Sequence, residues 1–225
     1  MEKNMTVNLI GITKPTAYSE CFDAAGLVAY AARVSNPANQ SNSETAPKLI
    51  KYLINNNHWS PFEMVHIVME IKTTRDISRQ ILRHRSFSFQ EFSQRYAISE
   101  NFISNREARL QDTKNRQNSI ENEDRRLQEQ WNMHQKTIID HSKMVYEWAL
   151  NMGIAKEQAR SILPEGLTET TLYMSGTLRS WIHYIDLRTD NGTQKEHRLI
   201  AKTCKDIVVT HFPMLEEYFN SERDA

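Results

Sequence analysis

Val65-His66-Ile67-Val68-Met69-Glu70-Ile71-Lys72-Thr73-Thr74-Arg75-Asp76-Ile77-Ser78-Arg79-Gln80-Ile81 changes its apolar period in mid-run, and that change points to the fold class. Val65, Ile67, Met69 and Ile71 alternate as one buried face of a strand does, while His66, Glu70 and Lys72 share the other face with Val68. Thr73 or Thr74 then stands where a side chain can cap a helix, and Ile77 and Ile81 lie four apart on its inner side. Gln80, Arg83 and His84 occupy the opposite side. The same strand-then-helix grammar returns at Leu172, Met174 and Gly176, followed by Leu178, Trp181, Ile182 and Ile185 on a helix closed by Arg188. Gly176 is expected to leave room for a ligand or backbone.

Outward from these two units, Val7 and Leu9 leading to Gly11 predict a short first strand. Cys21 to Val34 predicts a helix stopped by Asn36-Pro37, and Asn36 to Glu44 a polar loop. Pro47 with Leu49, Ile50, Leu53 and Ile54 predicts a second, amphipathic helix. Leu127, Trp131, Ile138, Val145, Trp148 and Met152 trace one stripe of a long helix ended by Gly153, a stripe suited to packing rather than to a cofactor. A shorter helix, Ala155 to Leu163, stops at Pro164 and carries Glu157 and Arg160 on one face; a last one runs from about Glu196 to His211. The polar stretch at about 101–130 reads as an exposed excursion without chemistry. With no repeat and no Gly-Ser linker, residues 1–225 are expected to form a single α+β domain, a central mixed or antiparallel sheet flanked by helices.

Lys plus Arg (28) balances Asp plus Glu (28), so no overall field draws in a polyanion and any anion site must be local. Cys21 and Cys204 stand in neither a CxxC nor a Pro-Cys setting, which argues against a disulfide scaffold, a zinc knuckle or a redox pair. No histidine pair has metalloprotease spacing, so no metal is expected. No apolar run approaches the roughly 18 residues of a membrane span, and Met1 to Thr6 lacks a signal core, so a cytoplasmic protein without membrane partners is expected.

The chemistry is concentrated in Arg83-His84-Arg85-Ser86-Phe87-Ser88-Phe89-Gln90-Glu91-Phe92-Ser93-Gln94-Arg95-Tyr96. Guanidinium is always charged and offers a rigid fork of donors, so several on one segment suit a ligand with more than one negative group. Arginines interleaved with phenylalanines also describe a nucleic-acid-binding module, the rival reading, which zero net charge disfavours.

Arg83-His84-Arg85 with Ser93 resembles the RHR-x7-S signature of the flavin-dependent thymidylate synthases. Ala31-Ala32-Arg33-Val34-Ser35, His58-Trp59-Ser60-Pro61-Phe62-Glu63, Glu157 with Arg160 before Leu163-Pro164, and Leu178-Arg179 through Asp186-Leu187-Arg188 resemble that family in the same order. The resemblance implies a homotetramer of α+β subunits with active sites where subunits meet. It implies methylation of dUMP to dTMP with 5,10-methylenetetrahydrofolate, FAD and NADPH, and no nucleic-acid partner. Gln80, Ile81, Leu82 and Arg83, then Glu91, Phe92, Ser93, Gln94 and Arg95, and finally Arg160 and Arg188 match the dUMP pocket, with Arg188 as the catalytic residue. Ser60, Arg83, His84, Arg85 and Glu91, then Thr177, Leu178, Arg179 and His183, match the FAD contacts. His58 and Tyr96 lie beside these stretches. Gln90 and His183 depart from the asparagines common at those places, and His183 offers a different donor and acceptor geometry to a flavin. The flavin-free thymidylate synthase needs a cysteine nucleophile in a Pro-Cys context, which this chain lacks.

Overall fold

Val65, Ile67, Met69 and Ile71 are at most 1% exposed and form the buried face of the central strand, as their alternation predicts. The computed structural model describes residues 5–103 and 106–221, so residues 1–4 and 222–225 and the two positions 104–105 within the expected excursion lie outside the described residues. In chain order the strands are β1 (Thr6–Ile12), β2 (His66–Thr74), β3 (Ser88–Glu91), the two-residue β4 (Leu110–Gln111) and β5 (Ser119–Ile120), and β6 (Glu169–Thr177). The helices are α1 (Ala24–Ala32), α2 (Ala46–Asn55), α3 (Arg75–Ile81), α4 (Arg125–Asn151), α5 (Lys156–Ala159), α6 (Leu178–Arg188), α7 (Lys195–His211) and α8 (Glu216–Asn220).

The main sheet has the order β1-β2-β6-β3 and is antiparallel throughout, which narrows the expected mixed or antiparallel sheet of this α+β fold. In register, Ile67 faces Gly176, Met69 faces Met174 and Ile71 faces Leu172. The inner residues of α6 and α7, among them Trp181, Ile182, Ile185, Ile200, Cys204 and Val208, close over this face. The Trp181 indole donates to the Ile67 carbonyl at 3.1 Å, satisfying a polar handle that burial would otherwise strand. Among the described residues no helix is long and apolar enough to cross a membrane.

Three sequence expectations change. Thr74 holds the N-cap position of α3, but its hydroxyl makes no capping bond; it donates to the Asp76 carboxylate and accepts from Arg106 instead. Strand β3 lies inside the arginine-rich segment, where Phe87, Ser88, Phe89 and Gln90 alternate apolar and polar. Gly176 makes room for neither ligand nor backbone: a Cβ there would stand 2.4 Å from Cδ1 of Phe87. That ring is held edge-on against Trp181 at 4.9 Å between centroids and cannot retreat freely. Gly176→Ala is therefore expected to lower stability by about 1–3 kcal/mol, as overpacking does, with recovery in the double variant Gly176→Ala/Phe87→Leu. Urea melts of the two proteins check this, and an unshifted midpoint in the single variant would refute the close packing.

The packing stripe of α4 finds no cover within the subunit. Trp131, Ile138, Trp148 and Met152 are 43, 51, 57 and 66% exposed. The buried residues of this helix are Gln135, Ile139, Tyr146 and Ala149, on a neighbouring face of the wheel, and Tyr146 and Ala149 pack against Ala159 and Leu163. Gly153, at φ +79°, ends the helix as expected, since only a residue without Cβ adopts that backbone at no cost.

Candidate active site

The turn after α3 carries Arg83, His84 and Arg85 back toward the sheet, and α6 brings its last residue to the same place. Nε of Arg188 donates to Nε2 of His84 at 2.9 Å. For the imidazole to accept there it must be neutral, and burial first, then the charges of Arg188 and Arg83, lower its pKa to about 4. Among the described residues, Arg83, Arg85, Arg160 and Arg188 form no ion pair, in a chain whose opposite charges are equal in number. Guanidiniums left without carboxylates are what an anionic ligand needs.

Gln80 joins this cluster as its helical spacing implied. Its Oε1 lies 3.3 Å from Nδ1 of His197, and the His197 ring is 6.3 Å from that of His84. Ile81 belongs to the core at 0% exposure, so its side chain faces no ligand, and Leu82 is half-buried in the turn.

A second cluster sits beyond the far end of β3. Arg95 pairs with Glu157 at 3.5 Å, and Nε of Arg160 donates to the Glu157 carbonyl at 3.3 Å. The expected facing of Glu157 and Arg160 thus resolves into a side-chain pair with Arg95 and a local bond to the backbone. The four residues of β3 set the two arginine clusters on the order of 10 Å apart along the strand. Glu91, between them, is held by Ser78 at 2.8 Å, Thr170 at 3.0 Å and the buried Arg75 at 3.6 Å. Gln94 is buried and donates to Ser99, and the Ser93 hydroxyl accepts from the N–H of Arg95. Phe92 and Tyr96 are exposed.

The remaining candidates lie along the first turns of α6. Thr177 caps that helix by accepting from the N–H of Ser180, whose hydroxyl donates to the Ser86 carbonyl and so ties the helix start to the arginine turn. Arg179 pairs with Glu63, one turn past exposed Ser60, and the His183 ring lies tilted against Trp59 with 4.5 Å between centroids. Leu178 is fully buried and serves the core. His58 is exposed beside Tyr52.

Sequence reasoning missed Arg75, and it places Trp59 and Glu63 in a matching motif without a role, though each is the direct partner of an expected residue. It also missed the excursion's anchorage. Arg109 donates to both oxygens of Glu196, at 2.7 and 2.9 Å, and Arg106 bridges Glu196 and Asp76 at 3.4 and 2.8 Å. The stretch is therefore fastened to α3 and α7 and is not a purely solvated loop.

Two of the phenylalanines behind the rival nucleic-acid reading are withdrawn from stacking, while Phe92 and Tyr96 of the same segment stay exposed. Phe87 lies beneath Trp181 and Tyr184, and Phe89 packs against the same core. Burial pushes the Cys204 thiol up, so neither position nor ionisation makes it a nucleophile.

Comparison with known proteins gives the family. A family described as thymidylate synthase complementing protein matches residues 18–214. A probable flavin-dependent thymidylate synthase of Paramecium bursaria Chlorella virus 1 is 51% identical over 94% of this chain and 97% of its own. The flavin-dependent thymidylate synthase of Synechocystis is 51% identical over 93% and 96%. Among solved structures, the UMP/dUMP methylase PolB of Streptomyces cacaoi, bound with 5-Br dUMP, superposes with a TM-score of 0.81 at 25% identity, covering 96% of this chain and 94% of that one. A family model matched over residues 18–214 and about half of the aligned positions identical over almost the full length of two such enzymes admit one conclusion: the chain belongs to the flavin-dependent thymidylate synthase family.

Proposed function

We propose that the protein methylates dUMP to dTMP, taking the carbon from 5,10-methylenetetrahydrofolate with FAD as cofactor and NADPH as reductant. The observation that carries this reading is Arg188, held by a neutral imidazole and, among the described residues, in no ion pair. Uracil C5 is a weak nucleophile until negative charge builds on the ring, and an unneutralised guanidinium at the N3/O4 edge favours that enolate-like form. Arg83 and Arg85 suit the phosphates of a nucleotide or dinucleotide, each charge-assisted bond contributing about 1.5–3 kcal/mol. Ser60, Thr177, Arg179 and His183, gathered at the start of α6, would hold FAD, which when bound supplies the hydride and one-carbon chemistry that no side chain here can perform. Ser93 binds rather than attacks, since among the described residues no hydrogen bond joins its hydroxyl to a histidine that could activate it.

The active site is shared between subunits of a homotetramer. Two arginine clusters separated along β3, and an uncovered apolar stripe on α4, both favour that reading. The solved relative is named a UMP/dUMP methylase and is bound with 5-Br dUMP, which supports a uridine-type nucleotide as substrate; the choice of dUMP rests on the family.

The direct test is the visible spectrum of the purified protein followed by product analysis. A bound-flavin band that NADPH bleaches and air restores, with dTMP formed only when dUMP and methylenetetrahydrofolate are both present, is the expected result. Colourless protein whose DNA binding falls steeply with salt would overturn the proposal in favour of the nucleic-acid module.

A further inference from the structure

Behind Gln80 runs a line of polar groups that the reaction as described does not use. Tyr184, His197 and Glu196 are all at most 1% exposed, and Gln80 and Gln194 are half-buried between them. His197 Nε2 lies 3.1 Å from the Tyr184 hydroxyl and its Nδ1 3.3 Å from Gln80 Oε1. Gln80 Nε2 donates to Gln194 Oε1 at 2.7 Å, and Gln194 Nε2 donates to Glu196 Oε2 at 2.9 Å. Arg109 donates to both oxygens of that carboxylate, and Arg106 pairs with Oε1.

The direction of donation along this line is set at one end. An ionised carboxylate can only accept, so Gln194 must turn its amide nitrogen toward Glu196 and its oxygen toward Gln80. Gln80 then has to offer its nitrogen to Gln194 and its oxygen to His197, which donates from Nδ1 and accepts the Tyr184 hydroxyl at Nε2. Burial raises the pKa of Glu196, but Arg106 and then Arg109 outweigh it and keep the carboxyl below its ordinary value. His197 stays neutral, burial above all lowering its pKa to about 3, so it has one donor and one acceptor to give.

We propose that Glu196, with Gln194 and His197, is a positioning element for the pyrimidine nucleotide: its acceptor-only carboxylate, clamped by Arg106 and Arg109, dictates which way round the Gln80 carboxamide faces. The inference rests on the reading of Gln80 as part of the dUMP pocket. A carboxamide has nearly the same shape in either orientation, so packing alone cannot choose between them; a directional chain can. With one amide hydrogen and one lone pair spent inward, Gln80 retains one hydrogen and one lone pair in fixed places for the ligand. The excursion thereby acquires a role, because its two arginines hold the end of the chain that imposes the direction.

The test compares dUMP binding and steady-state kinetics of the flavin-loaded wild type with Gln194→Met and Glu196→Gln. Gln194→Met cuts the chain at constant volume and is expected to raise the Kd and KM for dUMP about tenfold while kcat changes less than about threefold, with flavin content and Tm unchanged. Glu196→Gln keeps every atom position but lets the chain run either way, so a smaller loss of about threefold in dUMP affinity is expected. A purely structural defect would instead lower flavin content, Tm and kcat together, and that pattern overturns the proposal. So does dUMP affinity equal to wild type in Gln194→Met or, if that variant does not fold, in Glu196→Gln. Wild-type protein that fails to bind dUMP would sink the parent reading instead, before either variant is considered.

Discussion

Arg188→Ala is expected to abolish dTMP formation, a loss of at least about a thousandfold in turnover, while the protein still binds flavin and is still reduced by NADPH. The size of the effect follows from what the guanidinium faces. Its Nε is committed to His84, so the rest of the fork is fixed in direction and carries its full charge outward, undiminished by any carboxylate among the described residues. A charge fixed in that way is most effective where negative charge develops during the reaction, not where it already exists. Arg188→Lys is expected to recover little, because an ammonium cannot hold a planar fork against both imidazole and pyrimidine. His84 supplies an independent readout. Without Arg188 the imidazole loses the second of the influences that depress its pKa, so the value should rise above about 4 while burial still keeps it below 6.5. A proton-NMR titration of His84 measures this. Normal turnover in Arg188→Ala would remove the assignment of pyrimidine activation to this residue.

How much of this was legible in the sequence depended on the range of the interaction that organises each part. Helix α6 runs from Leu178 to Arg188 as its spacing predicts, because the apolar face of Leu178, Trp181, Ile182 and Ile185 and the basic end are both local signals. Strand β2 was equally plain. Strand β3 carried its own alternation in Phe87, Ser88, Phe89 and Gln90, but the density of charged residues around it drew the reading toward chemistry and away from period. The Arg109–Glu196 pair, 87 positions apart, leaves no spacing to detect, and so the excursion looked solvated when it is anchored. Gly176 showed that space was needed without showing for what. The arginine turn was found by composition and by resemblance; that Arg188 reaches it through a neutral histidine could be seen only in three dimensions.

A double variant, Trp131→Glu with Ile138→Glu, is expected to dissociate the proposed homotetramer and lose activity while keeping the fold of the chain. Leu127, Trp131, Ile138, Val145, Trp148 and Met152 repeat at intervals of three, four and seven along α4, the spacing by which one helix lays a continuous seam against another. Within the subunit Trp131 and Ile138 remain 43 and 51% exposed, so replacing them removes little from its own core. Both also line a cleft of about 410 Å³ with Arg106, Arg109 and Glu196, which places the seam beside the end of the chain that orients Gln80. Burying such side chains against another copy contributes about 1.5–3 kcal/mol each, and a carboxylate forced into the same place costs several more without a partner. The two substitutions, repeated in every copy, should therefore shift the particle from about four times 26.3 kDa toward a single chain. Sedimentation reads the mass, and circular dichroism the retained helix. The loss of activity distinguishes a shared active site from a merely associated one, because subunits that were complete by themselves would go on forming dTMP after separation. A double variant that sediments with the wild type would place the interface elsewhere, and an active monomer would contradict the joining of the two arginine clusters across subunits.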